Sequence, residues 1–229
     1  MMPDVNDEVW ALRPDFAALS VVVRNGRNAP GTGGDVTFDR AIHRPEWAEG
    51  HFEAWREAYR AFGARPQRTP CSAEALWRRM ARDGAIASVN AVVDLYNEVS
   101  LRYAVPVGGE DLSAYAGTPR LVRAAGNEPF HTIRDGVPTV ETADPGEVIW
   151  CDDGGVTCRR WNWRQTSRTR LEPETTEMWF ILERLAPLPM EALLEAGATL
   201  VAGLRHLAPG AEIATAVLKR SARDTGCST

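Results

Sequence analysis

Residues 90–115 read NAVVDLYNEVSLRYAVPVGGEDLSAY, and this stretch decides the fold. With Val89 just before it, Val92, Val93, Tyr96, Val99 and Tyr103 recur at the 3.6-residue period of an amphipathic helix. The spacing predicts a helix from Ser88 to Tyr103. Its opposite face would carry Asn90, Asp94, Asn97, Glu98 and Arg102. Pro106 stops the pattern, Gly108-Gly109 follows, and Leu112 opens a short polar stretch.

Upstream, Phe52, Trp55, Tyr59 and Phe62 form an aromatic stripe at spacings of three and four. A helix must bury one face, so the stripe reads as core, with base stacking as the functional alternative. After a break at residues 63–71, Ser72 is placed to cap a second helix. Glu74 lies in its first turn, Leu76, Trp77 and Met80 on its apolar face, and Gly84 at its end. Phe16 to Val23 is short and apolar, as in a buried strand, and the Asn25-Gly26 pair ends it. Residues 28–35 are a glycine-rich loop with no lysine, which excludes a phosphate-binding P-loop. Residues 1–15 read as a flexible arm.

Downstream the period becomes β-like. Strands are predicted near 120–125, 139–141, 147–151, 156–161 and 178–184, with glycine-containing turn pairs between several of them. A last amphipathic helix follows Pro189, and residues 211–218 read as strand in preference to helix. The pattern implies an α+β domain over residues 16–220 and a flexible tail at 221–229.

The 229 residues are 44% hydrophobic and 25% charged, which excludes a disordered chain, a collagen and a disulfide-stapled miniprotein. The net charge of −5 is not that of a polycation. Cys71, Cys151, Cys158 and Cys227 form no CxxC pair, so a zinc knuckle is not expected. The N-terminus lacks the apolar region of a signal peptide, and no apolar run approaches a membrane span. A cytoplasmic protein with reduced thiols is expected. Of 26 positive side chains, 25 are arginine, which reads as the codon bias of a GC-rich genome or as phosphate recognition. Lys219 alone argues against lysine-dependent chemistry.

The most unusual segment is residues 159–170, RRWNWRQTSRTR. It carries a local charge of +5 and no acid, leaving −10 for the rest of the chain. Arginines for phosphates and flat rings for bases are what RNA binding requires. The alternative is an edge strand with Trp161 and Trp163 packed on one side and the arginines outside. His43, His51 and His206 stand alone, and His131 follows Glu128 by three residues. No catalytic triad order or metal motif stands out. Asp152-Asp153 reads as a hairpin turn.

Residues 90–115 also resemble the helix-and-loop motif of the B3/B4 domain of the phenylalanyl-tRNA synthetase β subunit. Asn90, Val92, Val93, Asp94, Asn97, Pro106, Asp111 and Leu112 carry the match. Glu128, Ile133, Asp135-Gly136, Val148-Ile149, Asp152, Thr175 or Thr176, and Glu183 continue it in order over roughly residues 72–186. Two features depart from the pattern. Gly108 stands where the family has a histidine, and Trp161-Asn162-Trp163-Arg164 replaces a glycine-rich segment.

The resemblance implies a β-sandwich-like core of mixed sheets flanked by helices. It implies a freestanding form of the domain that binds tRNA or aminoacyl-tRNA, with possible hydrolysis of mischarged tRNA. A non-catalytic RNA-binding module and a pocket repurposed for a free amino acid or other small molecule are the alternatives. Glu128 and His131 are the candidate catalytic residues. Asn97, Arg160, Trp161, Asn162, Trp163 and Arg164 are the candidates for substrate or RNA contact. No cofactor, metal or membrane partner is implied.

Overall fold

The computed structural model describes residues 2–36 and 43–220. The chain begins with β1 (Asp4–Val5), α1 (Asp7–Leu12), β2 (Ala17–Arg24), β3 (Asp35–Val36), α2 (Ala48–Ala61), α3 (Ser72–Asp83), β4 (Ile86–Ala87) and α4 (Ala91–Tyr103). A strand-rich middle follows: β5 (Val107–Asp111), β6 (Arg120–Arg123), β7 (Pro129–Arg134), β8 (Val137–Thr142), β9 (Val148–Asp152), β10 (Gly155–Arg159) and β11 (Arg164–Gln165). Then come β12 (Met178–Arg184), α5 (Met190–Leu207) and β13 (Glu212–Lys219).

Two sheets organise these elements. One has the order β1-β6-β9-β10-β11 and is mixed, because β1 joins β6 in parallel and the other pairs are antiparallel. The other has the antiparallel order β13-β2-β12-β5. Trp179 and Ile181 of β12 and Ala18 and Val22 of β2 share a core with Leu121, Trp150 and Trp161 and with the aromatic stripe of α2. The alternate residues Phe180, Leu182, Leu19 and Val21 pack beneath α4 and α5. Both faces of the inner strands are therefore covered. That is why β2 and β12 read as continuous apolar runs where a half-exposed strand alternates.

The N-terminal residues are not the expected arm. Asp4 and Val5 pair with Arg120 and Leu121, Asn6 caps α1, and Val9 and Trp10 are buried. Two apolar residues within an acidic stretch suffice, because the edge of β6 offers them a partner. The expected tail at 221–229 lies outside the described residues.

The predicted helix appears as α4, and its polar face is split: Glu98 and Arg102 meet solvent while Asn90 and Asn97 are buried. Asn90 is buried and caps the helix: its Oδ1 accepts from the Val93 N–H at 2.9 Å, and its amide donates to Leu171 O at 3.0 Å. Asn90→Ala removes both bonds and leaves the Leu171 carbonyl unpaired. It is expected to lower unfolding stability by about 1–3 kcal/mol, read by urea denaturation.

Ser72 is not the cap of α3 either. Cys71 takes that position, and Ser72 begins the helix with its hydroxyl buried and unpartnered. Gly84 ends the helix at φ 72°, as its lack of a Cβ allows.

Strands appear near all five predicted positions, but β10 stops at Arg159. Arg160 and Trp161 adopt φ 48° and 66°, so the chain turns where strand continuation was expected. β5, β7 and the short strands β1, β3, β4 and β11 were not expected. β13 agrees with the strand reading and pairs with β2 along eight residues.

His51 is a core residue. Its Nε2 accepts from the Trp55 indole at 2.9 Å and from the Leu185 N–H at 3.2 Å, which leaves Nδ1 to donate to Ala104 O at 2.9 Å. Burial pushes its pKa down to about 4. No helix among the described residues is long and apolar enough to cross a membrane.

Candidate functional site

The cavity with the densest chemistry lies at the β5 edge of the four-stranded sheet and measures about 200 Å³. Its floor follows from strand register. Glu110 of β5 pairs with Trp179 of β12, and Gly108 pairs with Ile181. Side chains alternate along a strand, so Glu110, Gly108, Trp179, Ile181 and Glu183 share one face. Ser72, Ala75, Leu76 and Arg79 line the cavity from α3, at helical spacings that place them on one stripe. Tyr96 and Asn97 come from α4, Trp150 and Cys158 from β9 and β10, and residues 161–165 from the turn into β11.

Glu183 is 1% exposed. Its two oxygens accept from the Trp150 indole and the Asn162 amide, each at 2.9 Å. Tyr59 donates to Asn162 Oδ1 at 2.8 Å, so α2 fixes the amide that holds the carboxyl. Burial pushes the Glu183 pKa up to about 8, while the Asn162 and Trp150 donors and the neighbouring Trp161 indole pull it down. Glu110 is 3% exposed and accepts from the Tyr115 and Thr169 hydroxyls. Burial raises its pKa to about 8 as well, against the Thr169 bond. Neither carboxyl forms an ion pair among the described residues. Carboxyls that titrate near neutral pH can act as general acids or bases.

Gly108 has a different role from Gly109. A Cβ at Gly109 would come within 2.8 Å of Phe180 and 2.9 Å of Tyr96, so only glycine fits there. A Cβ at Gly108 would meet Gln165 at 3.4 Å and Ile181 at 3.5 Å, which are ordinary contacts. The position could bear a side chain, and its glycine leaves that part of the cavity floor open.

The sequence-derived candidates divide. Asn97, Trp161, Asn162, Trp163 and Arg164 line the cavity. Glu128 and His131 do not. The Glu128 carboxylate accepts from the backbone N–H groups of Ala125, Gly126 and Asn127 at 2.6, 2.9 and 3.1 Å and so closes its own loop. Burial raises its pKa, but these bonds outweigh that and hold it below the ordinary value. His131 sits on the β7–β8 hairpin, where its carbonyl accepts from Thr166 and Ser167. Arg160 lines a separate cleft of about 510 Å³ with Arg65 and Arg68.

The charge of residues 159–170 is also not what the local count suggested. Arg159 is buried against Glu147 at 2.6 Å and also reaches Asp144 and Glu141. Arg160 pairs with Asp144, Arg168 with Asp152 and Arg170 with Glu172. Only Arg164 lacks a carboxylate partner among these five. It donates to Thr132 Oγ1 at 2.8 Å, and with Arg160 it flanks the Trp163 ring. The acids that cancel the segment come mainly from β8, β9 and the loop between them, which local counting does not see. Trp161 is fully buried in edge contacts with Phe16 and Trp55, and its indole N–H has no hydrogen-bond partner.

Glu110 and Glu183 were not among the candidates, although Glu183 carried part of the resemblance. The available signal was an acid inside a continuous apolar strand, WFILE at 179–183.

No curated protein matches the chain. The crystal structure of an N-terminal fragment of the phenylalanyl-tRNA synthetase β subunit from Pyrococcus horikoshii is similar over 91% of this chain and 49% of that one, at 12% identity and a TM-score of 0.48. The chain thus spans about half the length of that fragment. The family model described as the B3/4 domain matches residues 54–191, more than half of the sequence, and covers α3, α4 and both buried glutamates. The chain belongs to the B3/4 domain family.

Proposed function

We propose that this cavity receives the aminoacyl group of a charged tRNA and supports hydrolysis of its ester. The observation that carries the reading is the pair of buried carboxyls, Glu110 and Glu183, on an aromatic-walled cavity within the family-matched region. At about 200 Å³ the space is smaller than a typical drug pocket and suits a single amino-acid group. In the reaction a water oxygen attacks the aminoacyl carbonyl carbon. The bond from that carbon to the ribose oxygen breaks, and a proton passes to the ribose oxygen. The carboxylate form of a group with pKa about 8 can take the water proton, and the carboxyl so formed can return it to the leaving group. Asn97 and Asn162 line the cavity as polar groups able to orient the ester. Arg164, the arginine of its segment without a carboxylate partner, is available to a phosphate of the 3′ end.

The test is a panel of mischarged tRNAs incubated with the protein. Release of amino acid from at least one member, reduced at least about 100-fold by Glu183→Gln, is the expected result. No release from any member overturns the hydrolase reading. Salt-sensitive tRNA binding without release would make the chain a binding module.

A free amino acid is the second reading, favoured by the pairing of four of the five clustered arginines, which leaves little phosphate-binding charge. It predicts a rise in melting temperature with free amino acids, since a ligand selective for the native state stabilises it.

A further inference from the structure

The cavity is polarised. Arg79 of α3 and Arg164 of β11 line its more exposed parts with guanidinium donors. Glu183 and Glu110 lie buried on the sheet floor. Glu110 faces Trp179, and Glu183 is four residues further along β12, so their backbone positions are offset by about 13 Å along the strands at ~3.3 Å per residue. They therefore act as separate acceptors at the two ends of the floor.

The surroundings of Glu183 are assembled for a carboxylate. Both assigned partners, Trp150 Nε1 and Asn162 Nδ2, are donors, one to each oxygen. Without a counter-charge, burial favours the protonated form, yet neither assigned partner offers an acceptor for its O–H. A buried carboxylate in turn requires a counter-charge. No arginine, lysine or histidine among the described residues pairs with it. Aromatic rings line the same space, namely Tyr96, Trp150, Trp161 and Trp179. Such rings favour a cation over a neutral group of the same shape.

We infer that the ligand of this cavity presents an ammonium group to Glu183, enclosed by the aromatic wall, with any anionic end directed to Arg79 and Arg164. This rests on the cavity being the binding site of the proposed function, and it names the feature that site selects. An aminoacyl ester carries such a group in its α-amine, as does a free amino acid. The ligand cation supplies the charge that the fold omits, so amine and Glu183 carboxylate stabilise each other within a low-dielectric space.

The probes are three small molecules on one phenylethyl skeleton: 2-phenylethylamine, 2-phenylethanol and 3-phenylpropionate. Isothermal titration and thermal shift on the intact protein are expected to show the amine binding at least about 10-fold more tightly than the alcohol, with the carboxylate weakest. Glu183→Gln, which keeps the shape of the side chain, is expected to remove that preference. Equal binding of amine and alcohol, preference for the carboxylate, or no binding of the amine overturns the inference. The wild-type comparison decides the charge preference even where the variant does not fold. Ester hydrolysis is read separately on tRNA, so a wild-type protein that hydrolyses the ester but shows no amine preference removes the inference and leaves the proposed function. Amine preference without hydrolysis does the reverse.

Discussion

Arg159→Ala is expected to destabilise the fold by about 3–5 kcal/mol. The guanidinium is only 8% exposed and contacts Glu147, itself 2% exposed, at 2.6 and 3.1 Å. Removing one partner of a buried pair strands the other as an uncompensated charge. Glu147 also accepts from the Arg160 backbone N–H at 2.7 Å, so the same carboxylate anchors the left-handed turn that carries Trp161 into the core. Arg170→Ala is the contrast. Its pair with Glu172 is about half exposed on both sides and is expected to contribute under about 1 kcal/mol. Urea denaturation of both variants checks this, and similar losses at the two positions would contradict the burial argument.

The second large effect is pH dependence of stability. Glu110 and Glu183 have folded pKa values raised from 4.5 to about 8. Between those values the folded protein keeps protons that the unfolded chain has released. Their contribution is therefore fully present below about 4.5 and is lost as pH rises through about 8. His51, lowered from 6.5 to about 4, works oppositely, so its stability is lost as pH falls through that window. The glutamates are thus read cleanly between 6.5 and about 8. The expected loss across the full glutamate window is on the order of a few kcal/mol for each carboxyl. Glu110→Gln/Glu183→Gln stays neutral in both states and is expected to flatten the decline in a urea series from about pH 6.5 to about pH 9. A wild-type profile that is flat or rising there would contradict the raised values.

The same two glutamates mark the limit of local reading. The helix at 91–103, the apolar strands and the order of the B3/B4 motif were legible, because periodicity and turn chemistry are local. Asn97, Asn162 and their aromatic neighbours were legible as candidates because they are unusual in type and lie in recognisable segments. Glu128 and His131 were attractive for the same reason, yet neither lines the cavity: Glu128 closes its own loop, and His131 sits on the β7–β8 hairpin. Glu128 is satisfied by the three preceding N–H groups, an arrangement that a spacing argument does not distinguish from an exposed catalytic acid.

By itself the sequence determined the types of the long helices and of the main apolar strands, the α+β class and the family, all of which depend on patterns a few residues long repeated in order. Only the tertiary structure decided which charges are free. Pairing β5 with β12 brings Glu110 opposite Trp179, and folding β8 and β9 beside β10 places Glu141, Asp144 and Glu147 on Arg159. A side chain's charge and reactivity follow from its burial and its partners. Here those partners lie on other strands and loops, so a basic segment became a paired one and two ordinary acids came to line the candidate cavity.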